Sequence, residues 1–279
     1  MKRKLIMVAA LLVVAVMMFW AFYHGLTVKI YEVKTNKLNY GESLRIVLLS
    51  DLHSCIYGKQ QSKLIAKVRE QNPDIILLAG DIADDERPID GTRFMLEGLQ
   101  GVAPMFYVTG NHEYWIGEIS EVKELFRSYG VTVLEDEYQE IVVGGIPLVI
   151  AGVDDPEWVR YEKKEGSGEQ IMKAKFKELD DVENYKILVA HRPEMIEVYK
   201  KYSFDLVVSG HAHGGQVRIP WILNGLYAPN QGWLPPYAGG AYKHETLTHV
   251  VSRGLSKNII LPRIFNPPEV VVIHVEGER

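Results

Sequence analysis

The chain has 279 residues, 47% of them hydrophobic, a formal net charge of −5 and a pI near 6.0. That length supports one substantial core or at most two domains, and the mild acidity supplies no basic field to attract a nucleic acid. A single cysteine, Cys55, rules out an intramolecular disulfide framework.

Lys2, Arg3 and Lys4 precede an unbroken apolar run from Leu5 to Phe22, with Trp20 and Tyr23 at its far end. As a helix that run rises about 27 Å at roughly 1.5 Å per residue, enough to cross a hydrocarbon core of about 30 Å once the flanks are counted. A cleaved signal peptide has a shorter apolar centre and small residues before its cut, whereas this run closes on the bulky Met17-Met18-Phe19-Trp20. Residues 1–24 therefore read first as an uncleaved signal-anchor, a single-pass transmembrane helix in the cell membrane, with a cleaved signal peptide and a buried core helix as the alternatives. Positive charge on the short side keeps the amino terminus in the cytoplasm and places the remainder outside it.

Residues 25–44 mix Thr, Lys, Asn and Gly with a few alternating apolar positions (Val28, Ile30, Val33), the pattern of a juxtamembrane strand and turn. From there, 45–279 reads as one domain of alternating strands and helices. Ile46 to Ser50 predicts a buried strand, Gln60 to Glu70 carries Leu64, Ile65 and Val68 at helical spacing, and Asp74 to Ala79 predicts the next strand. A helix over 90–99, a strand over 105–109 and a helix over 119–129 continue these βα units, which build a mostly parallel, helix-covered sheet. After Gly130, short strands at 131–134, 140–143 and 147–151 predict a meander or second sheet. The most hydrophilic loop, 160–170, leads to a helix over 171–179, a strand over 186–190, a helix over 193–202 and an apolar run from Phe204 to Val208. The segment from Trp221 to Tyr242 is long for a connection and rich in Gly, Pro and aromatic residues. It is either a lid or substrate rim, or a surface loop whose aromatics pack on the body. Val250-Val251 and Val270 to Val275 predict closing strands.

The chemistry gathers at strand ends. Asp51-Leu52-His53, Gly80-Asp81, Gly110-Asn111-His112-Glu113, His191 and Gly210-His211-Ala212-His213 each follow a strand-like run. Ligands bind outside the carboxyl ends of the strands in open α/β sheets, so these tips converge. Singly, an Asp there is often a helix cap and a His a satisfied structural group. As a set, carboxylate plus imidazole without thiolate suits Mn, Fe, Zn or similar divalent ions. Four histidines, two aspartates and an asparagine carbonyl are too many ligands for one tetrahedral ion and would supply two, with one carboxylate shared. Two such ions about 3.5–4 Å apart can clamp both oxygens of an in-line phosphoryl displacement. His24, His244, His249 and His274 lie outside this constellation.

In order and type these blocks resemble those of the calcineurin-like metallophosphoesterases, and Asp51, Asp81 and Asn111 fall at the matching interval of about 30 residues. The anchor, Gly214-Gly215-Gln216-Val217-Arg218, Ser252-Arg253-Gly254 and Asn266-Pro267-Pro268-Glu269 look like the membrane-associated bacterial branch related to YkuE and YaeI. Ser256, which follows Leu255 where that branch often has Gly, is a departure expected to lie clear of the metal blocks. The resemblance implies a four-layer αββα sandwich, two mixed sheets flanked by helices. It implies two divalent metal ions (Mn, Zn or Fe), one held by Asp51, His53 and His213, the other by Asn111, His191 and His211, with Asp81 bridging. His112 would act on the substrate, protonating the leaving oxygen or stabilising charge on the phosphoryl group; alternatively it only orients the loop around Asn111. Glu113 would cap or brace from behind the ligands.

The expectation is thus a phosphodiester or phosphomonoester hydrolase using metal-activated hydroxide near a membrane surface, with no nucleic-acid partner. The alternatives are a lipid-nucleotide pyrophosphatase of the UDP-2,3-diacylglucosamine type, whose substrate is lipid-linked, and a non-catalytic binding module on the same fold.

Overall fold

The computed structural model describes residues 2–161, 168–257 and 262–278. A helix α1 (Lys2–Ala21) leads into β1 (Thr27–Thr35), β2 (Ser43–Leu49), α2 (Ser62–Arg69), β3 (Ile75–Ala79), α3 (Asp90–Leu99) and β4 (Met105–Val108). The one-turn α4 (Asn111–Trp115), α5 (Ile119–Ser128), β5 (Thr132–Val133), β6 (Glu137–Val143) and β7 (Ile146–Val153) follow. After them come α6 (Trp158–Tyr161), α7 (Gly168–Phe176), β8 (Tyr185–Ala190), α8 (Ile196–Tyr199) and β9 (Leu206–Ser209). A small hairpin, β10 (Tyr227–Ala228) with β11 (Gly232–Trp233), precedes β12 (Gly240–Lys243), β13 (Thr248–Val251) and β14 (Glu269–Gly277).

Two six-stranded mixed sheets result, ordered β1-β14-β2-β3-β4-β5 and β12-β13-β9-β8-β7-β6. Strands β2, β3, β4 and β5 run parallel, as do β7, β8, β9 and β13. The expected second sheet is present, entered through the antiparallel β6–β7 pair. Period-two alternation explains why the strand runs are apolar on both sides. Ile46 and Leu48, with Leu77 and Phe106, face Leu148, Ile187 and Leu206 between the sheets. Their neighbours Val47, Leu49, Ile76 and Leu78 pack on the opposite face against Leu64, Met95, Leu96 and Phe126 of the helices. The outer face of the second sheet is covered by Met172, Phe176, Ile196 and Tyr199. Each fully buried aliphatic side chain contributes about 2 kcal/mol by leaving water.

Helix α3 has the limits its sequence predicts. Two other helices do not. The helix expected over 171–179 starts earlier, at Gly168, and its last turn tightens into a 3-10 segment, Lys177–Asp181. The helix expected over 193–202 is a 3-10 turn, Pro193–Met195, followed by a single α turn, Ile196–Tyr199. Pro193 fixes the backbone as the chain leaves β8, and the segment has few residues in which to return to β9. Most of the hydrophilic 160–170 loop lies outside the described residues.

Helix α1 is long and apolar enough to cross a membrane, and only 6% of its apolar window is buried against the protein.

Candidate metal centre

The carboxyl ends of β2, β3, β4, β8 and β9 deliver Asp51 and His53, Asp81, Asn111 and His112, His191, and His211 and His213 to one place. The delivery requires unusual backbone. Asp51, His53, Asp81, His211 and His213 all hold positive φ, between 46° and 65°, a conformation costing about 1–3 kcal/mol each for residues with side chains. Hydrogen bonds between loops hold them there: Asp51 N to Gly80 O at 3.0 Å, His53 N to Asp81 O at 2.9 Å, and Gly210 N to His191 O at 3.1 Å. Glu113 braces the same region. Its carboxylate accepts the N–H groups of Asp81, Ile82, Ala83 and Gly110 at 2.7–2.9 Å. Gly110 and Gly210 are required by closeness, since a Cβ there would stand 2.2 Å from Asp81 Oδ1 and 2.6 Å from Asp51 Oδ2.

Two donor groups share Asp81. Asp51, His53, Asp81 and His213 place one ligand atom each within 4.8 Å of one another, and so do Asp81, His191 and His211. His213 Nε2 lies 3.4 Å from Asp51 Oδ1, His53 Nε2 3.7 Å from Asp81 Oδ2, and His191 Nε2 3.1 Å from Asp81 Oδ2. His211 Nδ1 lies 3.1 Å from His191 Nε2. Asp51 Oδ2, His53 Nε2 and Asn111 Oδ1 are buried and have no hydrogen-bond partner. Orphaned polar atoms of this kind are costly unless something else satisfies them, and all three belong to expected ligands. The donor set therefore fits divalent cations.

The electrostatics separate the histidines. Burial, with the charge of His191 close by, pushes His211 down to about 3, and burial also drives His213 well below its ordinary value. Both are neutral at physiological pH, with a lone pair free to ligate. Burial opposes a proton on His191, but Asp81 overcomes it and lifts the pKa to about 10. A cation competes with that proton for the same Nε2 lone pair. Burial likewise works against Asp81, yet the charge and hydrogen bond of His191, with His53 and His112 behind it, hold its pKa well below the carboxylate range.

His112 stands beside these groups, its ring 4.3 Å from that of His53 and 4.5 Å from that of Trp115. Its Nδ1 is 2.6 Å from Asp85 Oδ1 and 3.3 Å from Asp84 Oδ1. Burial lowers its pKa, but the hydrogen bond to Asp84, the charge of Asp81 and the contact with Asp85 outweigh burial and raise it to about 9.

A family model for the calcineurin-like phosphoesterases matches residues 44–215. The chain belongs to that family. It is 31% identical over 259 residues to a metallophosphoesterase of Aquifex aeolicus, covering 91% of this chain and 93% of that one. It is 27% identical over 238 residues to a zebrafish (Danio rerio) transmembrane protein with a metallophosphoesterase domain, covering 78% of this chain and 53% of the relative. Among solved structures, TT1561 of Thermus thermophilus superposes with a TM-score of 0.51 at 16% identity, covering 77% of this chain and 92% of that one, a likeness of fold.

Several residues of this metallophosphoesterase escaped the sequence reading. Asp84 Oδ1 is 3.0 Å from His53 Nδ1, which turns His53 Nε2 toward Asp81. Ser256 Oγ does the same for His213 at 2.9 Å and also accepts from Arg263. The departure at Ser256 therefore touches a metal block after all. Ala79 O orients His191 through Nδ1 at 2.8 Å, and Asn230 Oδ1 orients His211 through Nε2 at 2.8 Å. Arg192, buried beside His191, is clamped by Asp155 through Nε and Nη2 at 2.6 and 2.9 Å and donates to Asn230 from Nη1. Arg192, Asn230 and His112 join Asp81, Asn111 and His213 in lining a cavity of about 200 Å³. The late Asn266 holds the His213 turn by donating to His213 O at 2.7 Å. Asp84 and Asp85 were within reach of a pattern, a few residues past Asp81. Asn230 carried no local signal, and Ser256 stood out only as a departure from the family pattern.

Proposed function

We propose that the protein is a binuclear-metal phosphoesterase that hydrolyses phosphodiesters or phosphomonoesters at a membrane surface. The observation that carries this reading is the set of buried, unpaired ligand atoms on Asp51, His53 and Asn111, grouped around an Asp81 shared by two donor clusters. Asp51, His53 and His213 would hold one ion, Asn111, His191 and His211 the other, and Asp81 both. Bound divalent ions supply Lewis acidity toward phosphoryl oxygens and acidify water.

The remaining chemistry belongs to the chain. His112, kept protonated at neutral pH by Asp84 and Asp85, can give a proton to the leaving oxygen. Arg192, held rigid by Asp155, presents a guanidinium to a phosphate oxygen in the cavity. The cavity of about 200 Å³ that these residues line has room for a phosphoryl group beside them. Helix α1 would anchor the domain in a membrane, a reading supported by its exposed apolar surface and by the zebrafish relative's description as a transmembrane protein, and Lys2, Arg3 and Lys4 on the short side would place the domain on the extracytoplasmic face.

The purified full chain, supplied with Mn or Zn, is expected to cleave bis-p-nitrophenyl phosphate or p-nitrophenyl phosphate, with Asp81→Asn inactive. No cleavage of either, together with a metal content near zero by mass spectrometry, would overturn the reading. Protease digestion of the chain in right-side-out membrane vesicles tests the orientation.

A further inference from the structure

The place where α1 joins the domain carries a second surface that the metal centre does not use. Ala21, the last residue of α1, is buried, and its carbonyl accepts a hydrogen bond from Phe265 N at 2.8 Å. Phe265 forms part of the wall of a cavity of about 610 Å³ whose other walls include Lys29, Arg218, Arg253, Trp221 and Ile222. The cavity therefore opens at the foot of the apolar helix.

Its rim is a tight turn. Ile219 and Leu223 form an antiparallel bridge, closed by Ile219 N to Leu223 O at 3.0 Å and Leu223 N to Ile219 O at 2.8 Å. The turn holds Trp221 and Ile222 at its tip with 103% and 83% of their surface exposed. The backbone ties the turn at its base, and its tip carries both side chains out into solvent. Large apolar side chains presented together in water mark a contact surface, and Trp prefers the interfacial layer of a bilayer.

Behind the rim the charges are positive. Glu269, buried, is committed to Arg253, accepting from its N–H and from Nε at 2.9 and 2.6 Å. Arg218 donates to Asn224 Oδ1, and among the described residues neither Arg218 nor Lys29 has a carboxylate within ion-pair distance. Three cations against one carboxylate leave a net positive pocket between an apolar tip and an apolar helix. Cationic side chains beside an exposed apolar tip are the pairing that binds the headgroup layer of an anionic bilayer.

We propose that the 219–223 turn is a second membrane contact: Trp221 and Ile222 enter the interfacial layer of the bilayer that α1 spans, and the cavity behind them receives the phosphate of an anionic phospholipid between Lys29, Arg218 and Arg253. This rests on the reading of α1 as a membrane span, and not on any hydrolytic activity. Asn266, next to Phe265, holds the His213 turn, so one loop borders both this cavity and the candidate metal site.

The test uses the full chain in vesicles carrying acyl-brominated lipid, with the emission of single tryptophans obtained as the difference between the native chain and Trp221→Phe or Trp20→Phe. Trp20 lies within α1 and reports the anchor separately. Both emissions are expected to be quenched by the brominated chains and protected from aqueous iodide. Replacing about one-third of the phosphatidylcholine by phosphatidylglycerol should raise the lipid-bound fraction of Trp221 about fivefold, and Arg218→Gln or Lys29→Gln should remove that rise. Quenching of Trp20 with Trp221 still open to iodide overturns the second contact and leaves the anchor standing. Loss of both overturns the anchor as well. Equal quenching in both lipid compositions overturns the phosphate pocket.

Discussion

The two halves of the proposed metal centre are built differently. In the Asp51, His53 and His213 half, each imidazole is oriented by another side chain, Asp84 for His53 and Ser256 for His213. In the Asn111, His191 and His211 half, His191 is oriented by a strand carbonyl, Ala79 O, and His211 by Asn230 from the long aromatic segment. The first half thus depends on side chains that a substitution can delete. The second rests partly on the backbone of β3, which no substitution removes, and partly on a loop that also holds Arg192. The second half would therefore be coupled to the cavity through Asn230 and Arg192, and the first through Asp84, which contacts both His53 and His112.

The largest expected effect comes from the residue the halves share. Asp81→Asn should lower turnover by about three orders of magnitude or more and reduce bound metal at both positions, read by steady-state rates and mass spectrometry. If only one ion is lost, Asp81 belongs to one half alone. His112→Asn removes the proposed proton donor but none of the proposed ligands, so turnover should fall about 10²–10⁴-fold with metal content unchanged. Glu113→Gln confronts four backbone N–H groups with an amide and should cost about 3 kcal/mol of stability, seen as a lower thermal midpoint in both loaded and stripped protein.

Smaller effects distinguish the halves directly. Asp84→Asn or Ser256→Ala should weaken metal affinity about 10–100-fold at one position and leave the other unchanged. Asn230→Ala should weaken the other position by about tenfold and also raise KM, because Arg192 loses an acceptor that fixes its Nη1. Equal loss at both positions from either variant would show that the centre behaves as a single cooperative unit.

The long 221–242 segment answers an alternative left open by its composition. Pro229 and Asn230 line the site cavity, while Trp221 and Trp233 are exposed at 103% and 72%. The segment is neither wholly a rim nor a loop whose aromatics pack down, because its polar tip reaches the ligands and its tryptophans face away from the protein. Composition reports how many aromatic residues a loop has, and nothing about which side of the chain meets the body.

By itself the sequence determined the strands, since alternating burial on two faced sheets demands near-continuous apolar runs, and it determined the candidate ligands, since chemistry at strand ends leaves a dense local pattern of Asp, Asn and His. It also marked α1, whose apolar length is a property of the segment alone. Only the tertiary structure decided what orients those ligands. Asp84, Asn230 and Ser256 act through single contacts across 19 to 43 residues of chain, with His53, His211 and His213 respectively. A hydrogen bond between distant residues leaves no period, charge run or spacing to be read in advance. It exists only once the sheets have stacked and their loops share one end.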